Sequence, residues 1–396
     1  MTLGTVFDRR TSTLTEKRAW EDWWGYHTVR LYADSIDIEY NAVREAAGVI
    51  DVSPLFKYLI SGPDAVRLVN RIITRDAHKL QLDQVYYTPW CDERGKLIDD
   101  GTVCRLDETM FRWTAAEPNY RWFNLNARGL DVHIEDISRE VGALALQGPT
   151  SRAVLESATG EDWSDLKYFR RRPTKVAGFP VDVTRTGYTG DLGYELWVEA
   201  SRAVDLWDAL FRVGSAFGLR PVGTAALDVL RVEAGLILIG AEFTSVRDAF
   251  TAEQEYSPFE LGFSRLVDLK KARFVGKRAL AAEQAAGGPP RRLVGLEFDW
   301  ADIEGSFERH GLPTVLSPET STSPVPLYVG GRQVGKATST TWSPALKKII
   351  ALALVEKAFG DLGARLDVEW TVQATRERVG ATVVELPFFD PPCKRA

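Results

Sequence analysis

The sequence predicts an α+β protein whose C-terminal part is a separate β domain, on three observations. Short strand-like runs crowd the C-terminal quarter, and two runs with helical spacing lie near the middle of the chain. Between them stands Gly287-Gly288-Pro289-Pro290, a poor place for helix or strand, which ends Ala281 to Pro290 as a domain boundary.

Taken in order, the elements begin with Met1 to Thr13, which is polar and lacks the apolar run of a signal peptide. Asp92-Glu93-Arg94-Gly95-Lys96 reads as a turn, leading into a strand that carries Asp99 and Asp100. Gly187 and Gly190 free the backbone for a tight bend around Tyr188, and Asp191-Leu192-Gly193 makes a second turn. The alternating strand Tyr194 to Val198 follows. Tyr194, Leu196 and Val198 form its apolar face, so Glu195 and Trp197 should point away from the main core, towards a cavity or solvent. Ser201 is a plausible N-cap for a helix with apolar positions Val204, Trp207, Leu210, Phe211 and Gly214. A second helix starts at Thr224, runs through Leu227, Leu230 and Ala234, and stops at Gly235. Beyond the linker, Leu293 to Phe298, Val325 to Val329, Gln333 to Ala337, Ile349 to Val355 and Ala381 to Glu385 read as strands.

Bulk properties narrow the function classes. A chain of 396 residues buries a sizeable core and suggests two or three domains. A net charge of -6, with no basic stripe, argues against nucleic acid. Cys91, Cys104 and Cys393 cannot build a disulfide framework, their spacing fits no zinc motif, and four scattered histidines suggest no metal cluster. The longest aliphatic runs are too short to span a bilayer, so cytoplasmic residence is the default expectation.

Several segments carry a resemblance. They are Glu39-Tyr40-Asn41-Ala42-Val43-Arg44 with Gly48-Val49-Ile50-Asp51-Val52-Ser53, Gly95-Lys96-Leu97-Ile98-Asp99-Asp100, Leu146-Gln147-Gly148-Pro149, and Arg185 through Glu195. Leu230-Arg231-Val232-Glu233-Ala234-Gly235, Phe274-Val275-Gly276-Lys277, Thr338-Ser339 and Ser343-Pro344 follow. In this order they resemble the aminomethyltransferase (glycine cleavage T-protein) family of tetrahydrofolate-dependent one-carbon transferases. The resemblance implies a three-domain cloverleaf with tetrahydrofolate in a central channel. It implies a discontinuous folate-binding domain (1–50 plus 144–250), a second α+β domain (51–143 plus 251–286), and a C-terminal β-barrel-like domain (291–390). It places Tyr188 and Glu195 at the folate site, matches Tyr87 to a family tyrosine, and aligns the essential aspartate to Asp99, with Asp100 as the second choice.

The chemistry suits those positions. One edge of a reduced pterin presents an exocyclic amine and a ring N–H, and the two oxygens of Glu195 can accept both. The plain alternative is a hairpin with a solvated glutamate. Successive side chains alternate in a strand, so Asp99 and Asp100 cannot share one pocket, and only one of them can be catalytic. The plain alternative there is an acidic pair that protects a sheet edge from aggregation.

Departures from the family pattern touch the choice of reaction. Ala226-Leu227-Asp228 replaces an Ala-Arg-Asp triplet, Pro54 replaces a histidine, and Ala116 stands where asparagine is common. They argue against a lipoyl carrier protein as aminomethyl donor and favour transfer of a methyl group from a small ether, amine or sulfonium to tetrahydrofolate. Aminomethyl transfer is the alternative. A non-catalytic folate-binding assembly or regulatory protein is the alternative of another class, but such relatives carry a cysteine motif in place of the tyrosine signature retained here. Trp20, Trp23, Trp24 and Trp90 suit aromatic walls or plain packing, Arg170-Arg171-Arg172 a folate tail or a solvated loop, and His27 a proton carrier or a surface residue.

Overall fold

The computed structural model describes residues 2–395. Among them, three sheets and a small N-terminal sheet organise the chain. The six-stranded sheet runs Arg171–Val176, Phe179–Thr184, Gly193–Glu199, Val141–Gln147, Ala47–Asp51, Leu219–Pro221, with only the last pair parallel. Both its faces are covered. Tyr194, Leu196 and Val198 pack into one core with the helices Ser151–Thr159 and Ala203–Gly214. Trp197 lies in the opposite layer with the helices Ile36–Glu45 and Thr224–Glu233.

The helix expected from Ser201 starts at Ala203 instead. Ser201 lies in a preceding 3-10 turn and turns its hydroxyl to Glu199, 2.8 Å away, so it caps nothing. The helix Thr224–Glu233 ends as its sequence suggests, with Gly235 at φ +67°, a left-handed conformation that glycine enters without steric cost.

The five-stranded sheet runs Val85–Cys91, Leu97–Asp107, Met110–Ala115, Phe56–Ser61, His133–Asp136. One face is packed solid by the helices Ala65–Ile72 and Tyr120–Asn126 around Trp90, Trp113 and Phe123. The other carries Tyr87, Asp100, Thr102, Arg112 and Thr114, set side by side by the strand register. The turn at Asp92–Lys96 is held by the Asp92 carboxylate, which accepts from the amides of Arg94 at 3.0 Å and Lys96 at 2.8 Å.

C-terminally, six strands close into a barrel: Arg291–Phe298, Lys348–Glu356, Arg332–Ser343, Val325–Val329, Arg365–Val372, Thr375–Val384. Lys348–Glu356 reads as an unbroken apolar run because both its faces are covered. Ala351, Ala353 and Val355 fill the barrel, while Ile350 and Leu352 pack outside it on Val232. Among the described residues no helix is long and apolar enough to cross a membrane.

Candidate active site

The polar face of the five-stranded sheet is turned to the Trp197 face of the six-stranded sheet, and Arg112 marks the junction. Its guanidinium donates to Asp182 at 3.0 Å and lies 4.4 Å from the Trp197 ring centroid. The candidate residues gather along this inter-sheet cleft.

Glu195 enters from the six-stranded sheet, where it pairs with Ala145. The carboxylate accepts at Oε2 from Thr186 at 2.8 Å and, at 3.5 Å, from Thr184, whose hydroxyl also takes the Trp197 indole N–H at 3.1 Å. No described residue hydrogen-bonds Oε1. Burial raises the Glu195 pKa, and the two threonines and Arg112 only partly offset this. A carboxylate desolvated, oriented on one oxygen and open on the other is equipped to accept N–H groups from a ligand.

The loop before it is laced by Gln147. Its amide donates to the carbonyls of Thr186 at 3.2 Å and Tyr194 at 3.4 Å and accepts from Thr189 at 2.9 Å. This explains Gly187: a β-carbon there would stand 2.0 Å from Gln147 Oε1, so the position needs glycine for close approach rather than for a bend. The bend is made at Gly190, whose φ is +80°. Tyr188, between the two, donates its hydroxyl to the Ile237 carbonyl. Burial raises that hydroxyl's pKa strongly; Arg231 opposes the rise, and Glu242 and Asp100 add to it.

Tyr87 and Asp100 come from adjacent strands of the other sheet. The Tyr87 hydroxyl donates to Asp100 Oδ2 at 2.6 Å. Burial pushes the Asp100 carboxyl up to about 6 against the pull of that hydrogen bond, and raises the Tyr87 hydroxyl well above its ordinary range. Asp99 is turned the other way. It is wholly buried and saturated: Oδ1 accepts the Asp100 amide at 2.8 Å, and Oδ2 accepts the Glu117 amide at 3.1 Å and Asn119 Nδ2 at 2.9 Å. Burial, then the Asp100 charge, raises its pKa as well. Strand alternation therefore sets Asp100, and not the first-choice Asp99, towards the cleft.

Other sequence candidates lie elsewhere. Trp90 is a core residue whose indole N–H donates to Asn119 at 3.2 Å. Trp24 is exposed against Phe56, and Trp20 stands edge-on to His27, whose ring is 2.9 Å from Asp8. Arg170, Arg171 and Arg172 are engaged by Gln81, by Asp83 and Asp182, and by Asp165. Leu227 is packed with Ala226 and Leu230, so the departing triplet puts an apolar side chain into a core layer. Gln147 and Thr186 lie in segments that carry the resemblance but received no role of their own, and Arg112 was not singled out; each acts across a strand pairing that nothing local marks. A cavity of about 230 Å³ between the helix Ile36–Glu45 and the barrel, lined by Tyr40, Val229 and Trp342, contains none of the cleft residues.

Comparison with known proteins completes the picture. Residues 5–271 match the GCVT N-terminal domain, and residues 291–390 match the glycine cleavage T-protein C-terminal barrel domain. The chain belongs to the glycine cleavage T-protein family. It is 33% identical over 393 residues to an aminomethyltransferase of Alkaliphilus metalliredigens (strain QYMF), covering 98% of this chain and 96% of that one. It is 36% identical over 358 residues, 89% of each chain, to an aminomethyltransferase of Shouchella clausii (strain KSM-K16). The crystal structure of glycine cleavage system aminomethyltransferase T from Bartonella henselae superposes with a TM-score of 0.83 at 24% identity, covering 98% of this chain and 99% of that one. This T-protein family member is accordingly an enzyme, a transferase, with the fold of its family over nearly its whole length.

Proposed function

We propose that this enzyme transfers an aminomethyl-derived one-carbon unit to tetrahydrofolate. One observation supports the reading above others: Glu195, with an open carboxylate oxygen, and the Tyr87–Asp100 pair stand on the two sheet faces that meet at Arg112. The names of the relatives favour an aminomethyl donor over the small methylated substrate that the sequence departures suggested.

The residues present fit a reduced pterin. Glu195 accepts the two N–H groups of its edge, held to that task by Thr186 and Thr184. Bound there, tetrahydrofolate supplies the nitrogen that receives the one-carbon unit. Tyr188 and Tyr87 wall the site, and the sheet faces exclude water so that the reactants meet in one orientation. Asp100, rather than Asp99, holds or moves the proton at the reacting nitrogens. A carboxyl titrating at about 6 is half-poised near neutrality, where a proton carrier works best. Asp99 serves it indirectly, by fixing the Asp100 amide and the Glu117–Asn119 loop.

A lipoyl carrier protein is the donor this reading requires. Leu227 favours a second reading, since the cation expected in that triplet is absent and the position is apolar. On that reading the donor is a small methylated ether, amine or sulfonium. Mass spectrometry of tetrahydrofolate after incubation with an aminomethyl-loaded lipoyl protein, or with a panel of methyl donors, separates them. Methylene-tetrahydrofolate from the first supports the proposal; methyl-tetrahydrofolate from the panel alone replaces it with the second reading; tetrahydrofolate that neither binds nor changes ends both.

A further inference from the structure

Beyond the last barrel strand, Thr375–Val384, the chain turns back from the barrel onto the loop that carries Tyr188. Leu386 and Phe388 pack with Val232, Ile350 and Leu352, between the barrel and the helix Thr224–Glu233, and the Phe389 amide donates to the Glu233 carbonyl at 2.9 Å. The Phe389 ring centroid lies 4.6 Å from the Arg44 guanidinium, and the Phe389 carbonyl passes 3.9 Å from where a β-carbon on Gly190 would stand. The chain then closes into a 3-10 turn, Pro392–Arg395, tied by ion pairs of Asp390 with Lys394 at 3.6 Å and with Arg395.

That turn grips the Tyr188 loop at both ends. The Arg185 guanidinium donates to the Lys394 carbonyl at 3.1 Å, and the Cys393 thiol donates to Asp191 Oδ1 at 3.4 Å. The other Asp191 oxygen takes Arg44, which also donates to the Thr189 carbonyl at 2.9 Å. Between the gripped ends stand Tyr188 and Thr186, whose hydroxyl holds Glu195. No regular structure fixes this stretch, which joins the strands Phe179–Thr184 and Gly193–Glu199. A loop held in its ligand-binding shape before the ligand arrives spares the complex the entropy of ordering it.

We propose that segment 385–395 is a clasp that holds the Tyr188 loop in its folate-binding shape, with Cys393 as a positioning residue that acts through Asp191. The inference rests on the assignment of Glu195 and Tyr188 to tetrahydrofolate. It deepens that assignment by naming what keeps Thr186 and Tyr188 in place, a grip supplied by the chain beyond the barrel.

The test compares Cys393→Asp, Cys393→Ser, Asp390→Asn and Glu195→Ala by anaerobic calorimetry with tetrahydrofolate, steady-state kinetics, thermal melting and amide hydrogen exchange. Cys393→Asp sets a second carboxylate against Asp191 and should release the turn. Exchange of the amides of residues 186–190 should then quicken about tenfold, Kd and KM for tetrahydrofolate should rise about tenfold, and kcat should change less than about threefold. Asp390→Asn loosens the turn from within and should show the same pattern at about threefold. Cys393→Ser keeps a donor and should stay within about twofold of the wild type in every measurement. Unchanged exchange or affinity in both Cys393→Asp and Asp390→Asn, an equal loss in Cys393→Ser, or faster exchange spread over the whole molecule with a lowered melting temperature would overturn the proposal. Glu195→Ala separates the two levels. If it leaves folate affinity intact while Cys393→Asp quickens exchange in the loop, the pterin assignment fails and the clasp loses its binding role; if it weakens binding while Cys393→Asp and Asp390→Asn do not, the assignment stands and the clasp alone is lost.

Discussion

Two groups of buried carboxylates in this protein use the same chemistry to opposite ends. At the junction of the helices and the barrel, Glu233 and Glu242 are each paired with an arginine. Arg44 donates to Glu233 and to Asp191, and Arg231 donates to Glu242 at 2.8 Å, with Tyr40, Thr338, Ser339 and Ser343 completing the shells. In the inter-sheet cleft, Glu195 and Asp100 have hydroxyl partners in place of the paired arginines, among the described residues, and burial raises both. A satisfied ion pair is architecture: it fixes how three elements meet, at a desolvation cost that its own partners repay. A desolvated carboxylate without a cation keeps binding capacity and a mobile proton.

The contrast is broken most forcefully at Arg231. Replacing it with alanine strands the Glu242 charge where both side chains are wholly buried, and about 3–5 kcal/mol of stability should be lost. Chemical unfolding measures this directly. The surviving folded fraction should bind tetrahydrofolate normally; a variant with unaltered stability would show that the hub is not structural.

Asp100→Asn should act the other way round. Turnover falls about 10²–10⁴-fold as the proton carrier is lost, while stability at pH 7 rises by up to about 3 kcal/mol. The sign follows from the direction of the shift. The fold raises this carboxyl from the ordinary value near 4 to about 6, so the native state binds the proton more tightly than the unfolded chain does. The group favours folding below about pH 4 and opposes it as pH rises through about 6. Asparagine removes that opposition. A variant that is both active and no more stable would return the role to Asp99.

Glu195→Ala comes next, with a loss of at least about a hundredfold in tetrahydrofolate affinity, the lower end of what two hydrogen bonds to a charged acceptor contribute. Unfolding should be nearly unchanged, which sets it apart from Arg231→Ala; calorimetry and melting on the same samples make the comparison.

How much of this was legible beforehand depended on the range of the determining contact. The strand carrying Glu195 and the turn at Asp92–Lys96 are local, and alternation and turn chemistry suffice to find them. The strand Arg365–Val372 was equally local, with Leu366, Val368 and Val372 buried on one face, yet its charged outer face hid it among the turns. Ser201 failed as a cap because the preceding strand continues into a 3-10 turn, a matter of sheet length. The choice between Asp99 and Asp100 lay beyond any local rule. Alternation says that they diverge, but which one meets the cleft depends on the helix Tyr120–Asn126 covering the other face. Thr186, Gln147 and Arg112 depend on pairings between distant strands and loops, and their residue types are unremarkable in isolation.

The finest test addresses the hydrogen bond that the Asp100 carboxylate accepts from Tyr87. The Tyr87 hydroxyl donates to it at 2.6 Å and thereby favours the charged carboxylate, opposing the burial that raises its pKa. Tyr87→Phe keeps the ring against Phe263, at 5.6 Å, and removes only the donor. Asp100 should then titrate higher, and the limb of the kcat/KM profile near pH 6 should move in the alkaline direction by about 0.5–1 unit. Because Asp99 and Asp100 interact, the limb belongs to the pair, and the variant reports a shift of the pair. The same substitution should leave the affinity for tetrahydrofolate within about threefold, since a neutral hydroxyl makes a modest net contribution. A profile that stays in place would mean that the limb arises from another group, and the proton-carrying role of Asp100 would go with it.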